Sequence, residues 1–203
     1  SMPGFGNALP AGLHREDALL IRQMGLNFVR LSHYPQHPAF LDACDELGIM
    51  VYAELASWKS VRSGWWLKSA RRQMEAMIRR DRNRPSVILW GMGNESRSRR
   101  AYTALRDLTR GLDPLRPVTY AENHLYRAVR ERTTGISDVW ALNYEMDALE
   151  EARDSSLLRC VIVSECSNYP PAARGDLDRE AEQVALIEKD LKSLENKPYV
   201  AGF

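Results

Sequence analysis

The sequence predicts an α/β chain that closes into a parallel (β/α)8 barrel, and three observations lead there. Short apolar strand-like runs alternate with amphipathic helix-like segments. A polar or ionisable residue stands just after nearly every such run: His33, Glu54, Glu95, Glu122, Tyr144 and Glu165. No internal repeat, low-complexity segment or linker interrupts the alternation. Repeated strand–helix units make a parallel sheet. Polar residues at so many strand ends favour a closed barrel, whose loops converge on one face, over an open doubly wound sheet.

The elements follow in order. Residues 15–24 read as a helix closed by Gly25, and residues 27–31 as a strand entering the Ser32-His33-Tyr34-Pro35 turn. Residues 38–47 form a short amphipathic helix ended by Gly48 in the left-handed conformation. A strand over 49–53 delivers Glu54, and a long helix with a basic outer face spans 65–82. Val87, Ile88, Leu89 and Trp90, after Pro85, suit a strand covered on both faces. Gly91 and Gly93 then let the backbone pass close to a neighbour, and Asn94 and Glu95 follow.

A helix over 102–110 places Ala104, Leu105 and Leu108 on one side and stops at Gly111. Strands over 117–120, 139–142 and 161–164 come next, the last two leading into Asn143-Tyr144 and Glu165. A helix over 179–194 precedes a strand beginning at 198. Seven strands are countable, and one ahead of Gly4 would make eight. A barrel of this type takes roughly 250 residues. The 203 residues are therefore expected to be one barrel domain, residues 1–203, short of its first strand and the end of its last. The strand edges so exposed suit association with a second copy.

Composition excludes several classes. A hydrophobic fraction of 44% and a charged fraction of 27% are those of an ordinary globular chain rather than a disordered or membrane-spanning one. A net charge of +1 gives no global field for nucleic acid or an anionic membrane. Arg97, Arg99 and Arg100 form a dense basic patch, read as a solvated loop in preference to a phosphate site. No signal peptide is visible, and Ser1-Met2 looks like a tag remnant. Cys160 and Cys166 flank one extended strand, too far apart to bridge, and Cys44 stands alone. Reduced thiols and a cytoplasmic location are the expectation. His14, His33, His37 and His124 are scattered without metal-ligand spacing, so no metal and no cofactor is expected.

Glu95 and Glu165 follow apolar strands that would be the fourth and seventh of the barrel. Two opposed carboxylates are what glycoside hydrolysis needs: one protonates the leaving oxygen, the other attacks the anomeric carbon or activates water. The other reading of a strand-end Glu is an ion pair with a barrel arginine.

The motif order separates the two readings. Residues 27–40, NFVRLSHYPQHPAF, resemble the second-strand motif of the catalytic barrel of glycoside hydrolase family 2, which includes β-galactosidases, β-glucuronidases and β-mannosidases. Residues 44–54, CDELGIMVYAE, resemble its third-strand motif. Residues 80–96, RDRNRPSVILWGMGNES, resemble its acid/base motif, and residues 161–165, VIVSE, its nucleophile strand.

The resemblance implies a retaining β-glycosidase acting on a carbohydrate, a β-galactoside or β-glucuronide first among them. It implies Glu95 as general acid/base, Glu165 as nucleophile, Arg30 as the cation that keeps Glu165 ionised and oriented, and Asn94 as the partner of the sugar 2-hydroxyl. Tyr144 would contact the nucleophile and His33 would line the sugar subsite. Arg30 could instead be a structural ion pair, His33 could hold a turn, and Glu54 could be a sugar ligand or a supporting partner. Trp58, Trp65 and Trp66 could stack on sugar or pack in the core, and Glu122 and His124 stay undecided.

The resemblance also implies flanking β-sandwich domains and an eighth-strand tryptophan, neither of which this stretch contains. Cys166 stands where an aromatic residue is common, Arg84 where histidine is common, and Tyr144 one residue before the usual tyrosine. The rival reading is a catalytically silent carbohydrate-binding or scaffold barrel.

Overall fold

In the computed structural model, which describes residues 8–150, 160–168 and 175–203, seven strands form one sheet. They are β1 (Phe28–Arg30), β2 (Met50–Glu54), β3 (Val87–Asn94), β4 (Val118–Glu122), β5 (Trp140–Asn143), β6 (Val161–Glu165) and β7 (Val200–Gly202). Every neighbouring pair is parallel, and the order β1 to β7 is the order of the chain. That is the wall of a (β/α)8 barrel; a doubly wound sheet would reverse part-way. The strand expected ahead of Gly4 lies outside the described residues.

Helices α1 (Ala11–Gln23), α2 (Pro38–Leu47), α3 (Trp65–Asp81), α4 (Arg99–Leu112), α5 (Leu125–Arg130) and α6 (Leu177–Leu194) connect the strands. Alternation along the strands sorts side chains into two layers. Val51, Ala53, Trp90, Met92, Val118 and Tyr120 pack outward with Leu41, Met74, Ile78 and Leu105 of the helices. Tyr52, Leu89, Ala121, Ala141 and Ile162 point inward and fill the barrel. Arg30, Glu54 and Asn143 share the inward parity, so the strand ends carry them over that inner layer.

The local signals act as expected in several places. Gly48 ends α2 in the left-handed conformation (φ 70°), and its N–H bonds back to the Cys44 carbonyl. Two features differ. Helix α4 runs through Gly111 to Leu112, because the stop is set by Asp113. The Asp113 carboxylate accepts from the Leu115 and Arg116 N–H groups, from Arg116 Nη1 at 2.7 Å, and from the buried Trp90 indole at 3.0 Å. Burial pushes this carboxyl up, and the Arg116 and Trp90 bonds outweigh it and hold it below its ordinary value. Helix α5 has no signal of its own in the sequence. Its first N–H, at Leu125, donates to Glu145 Oε2 at 2.6 Å, a cap supplied from beyond the next strand.

Strand β3 continues four residues past the apolar run, through Gly91 and Gly93 to Asn94. The neighbours that need those glycines are now identified. A Cβ on Gly91 would stand 2.3 Å from Tyr52 Cε2 and 3.2 Å from Glu54 Cα. One on Gly93 would stand 2.6 Å from Ser57 Oγ and 2.7 Å from Val61 Cγ2. Strands β2 and β3 therefore close up below the site.

Gly91→Ala is expected to destabilise the fold by about 1–3 kcal/mol, since the fully buried Tyr52 ring has to shift. A lowered urea midpoint with an unchanged slope would show it; an unchanged midpoint would mean the ring gives way freely.

Candidate active site

Four strand ends converge on one buried guanidinium. Arg30, at the end of β1, has 6% side-chain exposure and uses its whole fork. Its Nε donates to Glu54 Oε2 at 2.7 Å, its Nη1 to Glu165 Oε1 at 2.6 Å, and its Nη2 to Asn94 Oδ1 at 2.8 Å. Burial acts to discharge Arg30. Tyr52, together with the Glu54 and Glu165 carboxylates, outweighs it and holds the guanidinium above its ordinary range.

Glu54 is fully buried and both its oxygens are taken: Oε2 by Arg30 and Oε1 by His33 Nδ1 at 3.1 Å. The same His33 ring places Nε2 3.9 Å from Glu165 Oε1 and stacks 6.1 Å from the Trp58 ring. Glu165 is also met by Tyr144. The phenol donates to Glu165 Oε2, while the Tyr144 N–H bonds the Glu165 carbonyl at 2.7 Å. Burial and the bond to Glu165 push the Tyr144 hydroxyl above its ordinary value, so it remains a donor.

On the other side, Asn94 Oδ1 accepts from both Arg30 and Asn143 Nδ2, the latter at 3.0 Å. Asn143 Nδ2 also donates to Glu95 Oε1 at 3.0 Å, and its Oδ1 accepts from Ser164 Oγ at 2.7 Å. The chain of contacts thus runs from Glu165 through Arg30, Asn94 and Asn143 to Glu95. Asn94 Nδ2 is buried and has no partner among the described residues, a donor left over at the centre of the site. Lys59 Nζ lies 3.1 Å from Glu95 Oε2.

Register shifts aim these side chains. The β3/β4 pairing slips between Gly91 and Asn94, and the β5/β6 pairing between Leu142 and Asn143. Glu95 (φ 46°), Tyr144 (φ 64°) and Lys59 (φ 51°) then adopt the left-handed region. For side chains of this kind that conformation costs about 1–3 kcal/mol each and gathers where function demands it. The loop after β2 is tied to β3 by the Leu55 N–H on the Gly91 carbonyl and the Lys59 N–H on the Asn94 carbonyl, which carries Trp58 and Lys59 to the site.

A cavity of about 450 Å³ opens above this network. His33, Trp58, Glu95, Tyr144 and Glu165 line it, with both glutamates facing the same space. That volume suits a small ligand. Glu122 does not line it; its carboxyl turns back to accept the Asn123 and His124 N–H groups. Trp66 packs against the core, and Trp65, 84% exposed, lies outside the cavity. Asn143, Lys59 and Ser164 are the site residues that the sequence reading missed. Asn143 had a signal, a polar residue closing an apolar strand one position before Tyr144. Among the described residues no group of three or more His, Cys, Asp or Glu could hold a metal ion.

The family model for glycosyl hydrolases family 2, TIM barrel domain, matches residues 2–175. The chain belongs to this family. A β-galactosidase of Thermoanaerobacter pseudethanolicus is 38% identical over 120 residues, which cover 58% of this chain and 16% of that protein. The crystal structure of a Bacteroides uniformis β-glucuronidase superposes with a TM-score of 0.83 at 26% identity, over 96% of this chain and 28% of that one. A family 2 β-galacturonidase of Eisenbergiella tayi, bound to galacturonate, does so with a TM-score of 0.85 at 25% identity, over 98% and 41%. The matched stretch therefore spans about a sixth of the curated relative's length. Among the described residues no helix is long and apolar enough to cross a membrane.

Two expectations follow for this family 2 barrel. Arg30→Gln strands the buried Glu54 carboxylate and is expected to cost about 3–5 kcal/mol. Adding Glu54→Gln should return part of that loss, and a double-mutant cycle by denaturant unfolding reads the coupling. Burial raises the Glu122 carboxyl to about 7 from an ordinary 4.5, despite the two N–H donors and Arg97 that pull it down. The fold thus holds this proton more tightly than the unfolded chain does. Its stabilising contribution is fully present below pH 4.5 and is lost as pH rises through about 7. Urea midpoints at pH 5 and pH 8 should diverge less in Glu122→Gln than in the parent.

Proposed function

We propose that this barrel hydrolyses β-glycosides by double displacement, with Glu165 as nucleophile and Glu95 as general acid/base. The observation that carries the reading is the pair of glutamates facing one cavity, joined beneath it through Arg30, Asn94 and Asn143. Arg30 and the Tyr144 hydroxyl both direct hydrogen bonds at Glu165, which holds its carboxylate in one orientation for attack. A Glu165 oxygen bonds the anomeric carbon as the glycosidic C–O bond breaks. The proton from Glu95 goes to the departing oxygen. Water then attacks the same carbon, Glu95 takes its proton, the Glu165 ester bond breaks, and configuration is retained over the two inversions.

The remaining residues take roles in that cycle. The spare Asn94 Nδ2–H is the donor for the sugar 2-hydroxyl, a contact that strengthens as the ring becomes oxocarbenium-like. His33 and Trp58 form a wall of the sugar subsite. Glu54 acts through Arg30 and His33, because neither of its oxygens is left for substrate. The relatives' names, β-galactosidase, β-glucuronidase and β-galacturonidase, support a galactoside or a uronide as the sugar cleaved.

A panel of aryl and alkyl β-glycosides tests the reading. Glu165→Gln should abolish turnover. Glu95→Ala should slow alkyl glycosides by roughly 10²–10⁴-fold, yet leave the first step of a dinitrophenyl glycoside much less affected, because that leaving group needs no proton. A 2-fluoro sugar should add its mass to the peptide carrying Glu165. Turnover surviving in Glu165→Gln, or a first-formed product of inverted configuration, would overturn the assignment.

A further inference from the structure

A second cavity, about 420 Å³, adjoins the first. The two share Lys59, Glu95 and Asn123, while Glu165 lines only the first. This asymmetry gives the cavities different parts in the proposed reaction. The nucleophile and the leaving group lie on opposite sides of the anomeric carbon, and the general acid reaches the oxygen between sugar and leaving group. A space that touches Glu95 and not Glu165 is where the leaving group sits.

The charges around that space are unbalanced. Lys59, Arg97 and Arg127 line it, and Glu95 is the one carboxylate among the described residues that do so. Arg97 is exposed and makes no hydrogen bond or ion pair among the described residues; the carboxylate it acts on at longer range is Glu122, which is buried and held by backbone N–H groups. Arg127 donates from Nε to the Tyr126 hydroxyl at 2.6 Å, with its guanidinium 5.2 Å from the Tyr126 ring and no carboxylate partner among the described residues. Of the other acids nearby, Glu145 is engaged by His124 Nδ1 and the Leu125 N–H, and Glu131, whose N–H bonds the Arg127 carbonyl, pairs with Arg130 at 3.4 Å. The patch formed by Arg97, Arg99 and Arg100 therefore divides: Arg99 caps the Arg132 carbonyl at 3.0 Å, and Arg97 belongs to the cleft. In a chain of net charge +1, this local excess is a feature of the cleft and not of the whole surface.

We infer that the leaving-group side of this active site selects an oxyanion-bearing leaving group, carrying a carboxylate or a sulfate ester, held by Arg97 and Arg127. The inference rests on the glycosidase reading for the placing of the two subsites. Guanidinium groups match both oxyanions in fork geometry. It concerns the group that departs, whatever the sugar that is cleaved.

The test uses three phenyl β-glycosides whose para substituent is 2-carboxyethyl, its primary amide, or 2-(sulfooxy)ethyl, each built on galactose and on glucuronate. The ethylene spacer keeps the three phenols nearly equal as leaving groups. Dissociation constants are measured by calorimetry on Glu165→Gln, and kcat/KM on the parent. The acid or the sulfate ester should bind about fivefold more tightly than the amide at low salt, with the same ratio in kcat/KM. The advantage should vanish near ~0.5 M salt, where charge interactions at exposed sites are screened. Arg97→Gln and Arg127→Gln should each reduce it about twofold, and the acid and sulfate arms show which oxyanion is preferred. Equal binding of all three compounds, no binding of either anion, or an advantage untouched by both arginine variants would overturn the inference. Hydrolysis of acid and amide at equal rates would sink it while leaving the glycosidase reading standing. Selective binding without hydrolysis of any glycoside would do the reverse.

Discussion

The structure depends on one guanidinium taken out of water. Arg30 reaches Glu54, Asn94 and Glu165, three acceptors brought from three other strands. Burying an isolated charge is costly, and a buried pair is tolerated only when its geometry and remaining hydrogen bonds are complete. Arg30 and Glu54 meet that condition together: the fork is filled on one side and both carboxylate oxygens are filled on the other. A lysine would offer a point charge and no fixed fork. The same guanidinium that satisfies the barrel interior therefore also sets where Glu165 and Asn94 stand.

Around that anchor, the site is built from departures from regular strand geometry. A strictly alternating β3 would send Asn94 and Glu95 to opposite faces. The register slip after Gly91 and the left-handed conformation of Glu95 bring both toward the cavity. The slip before Asn143 and the left-handed Tyr144 do the same at β5. Gly91 and Gly93 permit this by letting β2 and its following loop lie against β3, which in turn presents Trp58 and Lys59. Local strain is compensated by the hydrogen bonds it makes possible.

Much of this was legible beforehand where the signal is local. Residues 38–47 carry an amphipathic period, a proline at the start and a glycine at the end, and α2 occupies those residues. The Val87–Trp90 run marks β3 but not its length, because the continuation through Gly91 and Gly93 has no apolar side chains to announce it. Gly111 looked like a stop, yet an interior glycine costs a helix only ~1 kcal/mol, and the Asp113 network sets the end. Helix α5 was invisible because Glu145, its cap, comes twenty residues later. The carboxylates, Arg30, Asn94, His33 and Tyr144 could be named from motif order alone. Asn143 carried a strand-end signal that was not taken up, while Lys59 and the separation of Arg97 from its neighbours could not be read, since each depends on what lies opposite.

By itself the sequence determined the alternation of strands and helices, the parallel sheet and the chemical types offered at each strand end. Those follow from periodicity and from residues whose effect is felt within one turn or one strand. Only the tertiary structure decided which of those residues meet. Contacts such as Arg30 with Glu165, 135 positions apart, depend on strand register and on bulges that close packing selects. The same holds for the charge of the cleft. A run of arginines has one composition whether it faces open solvent or a cleft, and the path of the chain after β3 is what sets Arg97 along the cavity wall.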